Sequence, residues 1–132
     1  MQEVERFRSR YAVSGDAALL AAEFEALGTD YSANGYTTLT QADEIGDWLN
    51  LDEDNVLLDV GAGCGWPGLY LAKRHGCAVI SLDPVSEGMP TLKQRAVADG
   101  CGKQAWAVIG VADTIPLRPR SIDAIVHADV LC

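Results

Sequence analysis

The residues best placed to do chemistry stand between Val56 and Ala72. They are Asp59, then Gly61, Gly63 and Gly65, with Pro67 just beyond. The apolar run Val56-Leu57-Leu58 leads into Asp59-Val60, and the glycines follow at alternate positions. Glycine has no Cβ and tolerates positive φ, so a ligand can lie against bare main chain there. Proline suits a first helical turn, where its missing N–H is no loss. A buried strand, a tight loop and a helix start, in this order, build a cradle for a nucleotide-type cofactor. The free N–H groups of the helix start would face the loop. A glycine-rich strand-to-helix turn of some other α/β protein is the plainer reading.

Two further segments share this logic. The apolar run Cys77 to Leu82 ends in Asp83-Pro84, one helix and one strand after the glycines. A carboxylate at a strand end can accept hydrogen bonds from both hydroxyls of a ribose, each charge-assisted bond being worth about 1.5–3 kcal/mol. A lone Asp at such a place serves equally well as a turn residue or helix N-cap. The third segment runs from Gly110-Val111-Ala112-Asp113 through Ile115-Pro116-Leu117 to Ser121-Ile122-Asp123-Ala124-Ile125-Val126-His127-Ala128-Asp129-Val130-Leu131.

The dinucleotide fingerprint G-x-G-x-x-G is not met, because Trp66 holds the third glycine position. That speaks against a nicotinamide-dependent dehydrogenase. The pattern present, D-x-G-x-G-x-G, resembles motif I of the class I S-adenosylmethionine (SAM)-dependent methyltransferases. The third segment is similar to the same family's "GDA-x-x-LPF … SFDAV … VL" block. The resemblance spans residues 36–131. It implies that Gly61, Ala62, Gly63 and Gly65 lie against the methionine part of SAM and that Asp59 helps hold the loop. It further implies that Asp83, with Pro84 beside it, takes the ribose, and that Val111, Ala112 and Asp113 form the adenine side. Val111 departs from the family pattern, which has Asp there. Either Asp113 substitutes, or the backbone of Val111 and Ala112 recognises adenine, or adenine binding is weakened. The family has no universal catalytic residue. His127 is a candidate for lining the cofactor pocket or for deprotonating an acceptor, and Asp129 stands in the same position. Tyr31 and Tyr36 either close over the methionine end or anchor their loop by packing. The implied reaction is methyl transfer from SAM, leaving S-adenosyl-L-homocysteine, to an unidentified small-molecule acceptor.

Strands alternating with helices must position these groups. Helices are expected over 3–12 and 16–27, the latter stopped by Gly28, with a loop over 28–37. A T-x-x-Q capping box at Thr38–Gln41 opens a third helix to Leu49, with Leu39, Ala42, Ile45 and Trp48 on its buried face. Strands follow over 55–60, 77–82, 104–109 and 122–128, with helices over 67–75 and 89–99. This is an α/β fold with a mostly parallel sheet and right-handed crossovers. The resemblance makes it the three-layer, Rossmann-like SAM-methyltransferase fold. Ligands of such sheets sit at the carboxyl ends of the strands, where all three segments fall. Residues 1–37 are expected to form a helical cap or lid, and 38–132 a SAM-binding half-domain with only strands 1–4 of the family's seven. The far sheet face and the fourth-strand edge would then stand open. A second copy, a partner or a missing C-terminal half would cover them, and a non-catalytic subunit of this fold is the alternative function.

Composition narrows the partners. The 132 residues support one domain, with 48% hydrophobic and 22% charged residues and a net charge of −9. Clustered Lys and Arg against phosphates are what nucleic-acid binding needs. Arg6-Arg8-Arg10 and Arg118-Arg120 read instead as solvated faces, so no nucleic-acid partner is expected. No apolar run is long enough to span a membrane, and the N-terminus lacks a signal-peptide layout, so a cytoplasmic location is expected. Cys64, Cys77, Cys101 and Cys132 are widely spaced, and His75 and His127 have no metal-ligand spacing, so no metal is expected.

Overall fold

Short-range side-chain chemistry places the helix ends. In the computed structural model, which describes residues 2–129, Asp16 accepts the amides of Ala18 (3.0 Å) and Leu19 (3.1 Å) and so starts α2 (Ala17–Leu27). Helix α1 (Gln2–Ala12) precedes it, and Gly28 closes α2 in the left-handed region. The capping box forms as expected: Thr38 accepts the Gln41 amide, and Gln41 accepts the Thr38 amide, ahead of α3 (Leu39–Leu49). Ala42 and Gly46 are buried along this helix, with Leu39, Ile45 and Leu49 packed beside them. Trp48, expected on that face, is 78% exposed. It stands six residues from Ala42, well off the stripe at 3.6 residues per turn.

The α/β alternation follows as β1 (Val56–Val60), α4 (Gly68–His75), β2 (Ala78–Asp83), a 3-10 turn (Ser86–Gly88), α5 (Met89–Ala98), β3 (Ala105–Ile109) and β4 (Ala124–Val126). Pro67 caps α4 rather than lying inside it, after a cis Trp66–Pro67 bond. The fourth strand is shorter than 122–128. Asp123 replaces a ladder bond with its side chain, whose Oδ2 accepts the Val56 amide at 2.7 Å. Val130, Leu131 and Cys132 lie outside the described residues.

The strands form one parallel sheet in the order β3-β2-β1-β4. The pairings Leu57↔Val79↔Ala105 and Leu57↔Ala124 put one row of apolar side chains on one face. That face packs with residues of α3, α4 and α5 in the main core. The adjacent row, Leu58, Ile80, Trp106 and Ile125, points the other way. There Trp106 is 53% and Ile125 54% exposed, at the two flanks of the sheet, while Leu58 at its centre is 1% exposed, so the exposure lies at the flanks and not on the central strand β1. No helix among the described residues is long and apolar enough to cross a membrane.

Candidate functional site

The glycine loop turns back on itself because Gly61, Gly63 and Gly65 adopt φ of 74°, 54° and 110°, a region costly for residues with a Cβ. Its amides are sewn to the end of β2. Gly61 and Ala62 both donate to the Leu82 carbonyl, at 2.8 and 3.1 Å, and Gly65 donates to Ala62 at 2.7 Å. Gly63 donates to Asp83 Oδ2 at 2.8 Å, while Val85 donates to Asp83 Oδ1, also at 2.8 Å. The parallel pairing of β1 with β2 makes this possible, since it brings the ends of the two strands side by side.

Both carboxylates hold the loop, at different points: Asp83 accepts the Gly63 amide, and Asp59 the amide where the loop enters α4. Asp59 lies beneath it, fully buried, and its Oδ2 accepts the Gly68 amide at 3.0 Å. The first amide of α4 is thus taken by Asp59 and does not face the cradle. Gly68 is needed for this, because a Cβ there would stand 2.8 Å from the Asp59 Cβ. Burial pushes the Asp59 carboxyl up to about 7; the Gly68 amide pulls it down and the charge of Asp83 pushes it up. Burial likewise raises Asp83, against the pull of the Val85 and Gly63 amides. Cys64, buried in the loop, has its thiol pushed up to about 11 by burial.

Asp83 is 4% exposed. Each of its oxygens accepts one amide, and a carboxylate offers about four acceptor sites. A ribose hydroxyl pair therefore still finds acceptor capacity at the strand end. The bare stretch from Gly61 to Gly65 and this carboxylate fit a nucleoside cofactor.

The adenine-side residues reach the same end of the sheet. Asp83 pairs with Ile109, and the Gly110 amide donates to the Asp83 carbonyl at 3.2 Å. Val111 then bridges to Thr114, and Val111, Ala112 and Asp113 are exposed. Pro84 is exposed immediately after β2. His127 is exposed one residue past the Asp59↔Val126 pairing, on the far side of β1 from Asp83.

The loop over 28–37 is pinned by tertiary bonds. Tyr31 is buried, its hydroxyl donates to Asp99, and the Arg95 guanidinium stacks 3.7 Å above its ring. It is an anchor. Tyr36 is 82% exposed. Asp129 Oδ2 accepts the amides of Tyr36 (2.9 Å) and Thr37 (3.1 Å) and the Thr37 hydroxyl (2.9 Å). Trp66 Nε1 donates to the Thr37 carbonyl at 2.9 Å. Asp129 therefore fastens the lead-in to α3 rather than standing free as a base.

One residue at the site escaped the sequence reading. Tyr11 of α1 is buried with Cys64 and Val85. Its hydroxyl lies 2.9 Å from the position a Cβ on Gly63 would take. Nothing in the local pattern of α1 marks this residue, because the contact joins positions far apart in the chain.

Comparison with known proteins agrees with this architecture. A family described as methyltransferase domain matches residues 58–132, more than half of the chain. An uncharacterized methyltransferase of Mycobacterium bovis is 34% identical over 82 residues, covering 62% of this chain and 31% of the relative. The chain thus spans about a third of the length of the curated relatives it matches. Among solved structures, a SAM-dependent methyltransferase from Thiobacillus denitrificans in complex with S-adenosyl-L-homocysteine superposes with a TM-score of 0.61 at 24% identity, over 68% of this chain and 36% of that one. YjhP from E. coli superposes with a TM-score of 0.67 at 17% identity, over 92% of this chain and 43% of that one. These likenesses show the fold, including the order β3-β2-β1-β4. With its glycine loop, its sheet order and the family match in agreement, the chain belongs to the class I SAM-dependent methyltransferase family.

Proposed function

We propose that this chain binds SAM at the carboxyl end of its sheet and is the cofactor-binding part of an enzyme that methylates a small-molecule acceptor. The observation that carries the reading is the meeting of Gly63 and Asp83, which joins main chain without a side chain of its own to a carboxylate with acceptor capacity to spare. Gly61, Ala62, Gly63 and Gly65 would hold the methionine part, Asp83 the ribose, and Val111 to Asp113 the adenine. Val111 has no acceptor side chain, so its backbone and that of Ala112, with Asp113 nearby, would meet the adenine amino group. SAM supplies an activated methyl group, and the protein supplies position and a dry site. His127 lines the cofactor pocket in this reading. The net charge of −9 favours a small acceptor over a nucleic acid.

Titration calorimetry with SAM tests the site. One binding site is expected, and Asp83→Ala should weaken it at least tenfold, with Asp83→Asn falling between the two. Binding that neither variant moves would remove Asp83 from the site.

A second reading rests on the exposed flanks at Trp106 and Ile125. There the chain is a non-catalytic subunit of this fold, completed by another copy or a partner. Purified alone, such a subunit would bind no SAM, and only the reassembled complex would.

A further inference from the structure

Strand β3 ends the sheet on the side away from β4. Its ladder to β2 fixes which of its backbone groups are already used. The Val79 amide donates to the Gln104 carbonyl at 2.8 Å, and the Gly110 amide donates to the Asp83 carbonyl at 3.2 Å. Backbone direction alternates along a strand, so Gln104, Trp106, Val108 and Gly110 face β2. Ala105, Ala107 and Ile109 therefore turn their N–H and C=O groups outward. The strand reads Ala-Trp-Ala-Val-Ile, and its register with β2 is unbroken. It carries no charge, proline or bulge to blunt it, and such an edge is a template for another strand.

The ground beside this edge is hollow and mostly apolar. A groove of about 370 Å³ runs between α5 and β3, lined by Lys93, Ala96 and Val97 from the helix and by Gly102, Ala105 and Ala107 from the strand side. Val97, Trp106 and Ile109 are exposed around it. The small side chains leave room for another chain to come close. Charge permits the same approach. The net charge of −9 repels two copies of the molecule. Between Met89 and Val111, however, stand Lys93, Arg95 and Lys103 against one acid, Asp99, so the repulsion is least across this edge.

We propose that β3 is the docking edge for a second copy of this chain, through antiparallel β3–β3 pairing about a two-fold axis at Ala107. A two-fold interface must be complementary to itself, and this strand is. Antiparallel partners that face each other exchange both of their hydrogen bonds. In this register Ala107 meets Ala107 and Ala105 meets Ile109, so all three outward residues are paired in both copies. A slip by one residue would set outward groups against groups already bonded to β2. Antiparallel pairing also lays the entry of one strand beside the exit of the other. Lys103, just before β3, then comes beside the Val111–Asp113 stretch of the second copy. Lys103 and Asp113 are both exposed, and neither forms an ion pair among the described residues. The two four-stranded sheets become one continuous sheet. This pairing does not depend on the cofactor reading above.

Two measurements on the full chain test it: sedimentation velocity over a range of concentrations, and amide hydrogen exchange followed residue by residue by NMR. A concentration-dependent dimer is expected. In concentrated solution the amides of Ala105, Ala107 and Ile109 should exchange at least tenfold more slowly than in dilute solution. Those of Trp106 and Val108, which face β2 in every copy, should keep one rate. Ala107→Pro removes an outward donor, a change that an edge strand tolerates, and should abolish the dimer. Lys103→Glu alters an exposed residue, sets like charge beside Asp113 and should weaken dimerisation at least threefold. A chain that stays monomeric at every concentration overturns the proposal. So does a dimer whose slowed exchange falls on β4 and not on β3, or one that either substitution leaves at full strength. Should Ala107→Pro fail to fold, the alternation of exchange rates along β3 and the Lys103→Glu result decide the matter.

Discussion

Asp83 and Gly63 are locked together: the carboxylate at the end of β2 accepts the amide of the middle loop glycine at 2.8 Å, inside a nearly solvent-free pocket. One side chain thereby fixes the loop and, in the proposed reading, lines the cofactor site. Each oxygen already has an amide partner, so Asp83 is oriented before any ligand arrives, which lowers the ordering cost of binding.

Gly63→Ala should destabilise the fold. The residue sits at φ of 54°, and a Cβ would press on the Tyr11 hydroxyl. The left-handed conformation alone costs about 1–2 kcal/mol. A fall in Tm of roughly 3–8 °C is expected by calorimetric scanning. An unchanged Tm would show that the loop relaxes freely.

Asp59 should make stability depend on pH. Its carboxyl is raised from 3.8 to about 7, chiefly by burial. Below the unfolded value both states hold the proton, and the protonated buried group is at its most favourable. As pH rises toward 7 the unfolded chain gives up its proton while the native chain keeps it, so stability falls, and the loss levels off above 7. The drop between pH 4 and 8 is at most about 4 kcal/mol from this group. Urea unfolding across that range should show it, and Asp59→Asn should flatten the curve while keeping an acceptor for Gly68.

Asp129→Ala should loosen the lead-in to α3 without unfolding the domain. Three hydrogen bonds to Tyr36 and Thr37 disappear, in an exposed setting where water replaces them. Amide hydrogen exchange at Tyr36 and Thr37 should accelerate at least tenfold, with the β1 and β2 amides unaffected. Protection that survives the substitution would assign the pinning to Trp66 alone.

The flank residues Trp106 and Ile125 should govern self-association. Both expose apolar surface on the same sheet face, and β4 is an edge strand among the described residues. Ile125→Lys and Trp106→Lys together should reduce concentration-dependent association measured by light scattering, leaving the Tm nearly unchanged. Association that persists would place the sticky surface elsewhere.

Much of this chain was legible before folding. The capping box at Thr38–Gln41 and the stop at Gly28 are local devices, readable from spacing because their partners lie within four residues. The parallel pairing of the strands followed from their alternation with helices, whereas the order β3-β2-β1-β4 is read from the structure. Trp48 was misread because two helical stripes three residues apart look alike until one packs against α4.

Residue type and spacing by themselves determined the cradle: three glycines free to turn, a carboxylate at the next strand end, and the sheet that brings them together. The tertiary structure decided which carboxylate does which task, that Asp129 clamps a loop, and that Tyr11 covers Gly63. Those outcomes depend on contacts between residues distant in the chain. Their energies belong to shared burial and hydrogen bonding, which no local pattern records.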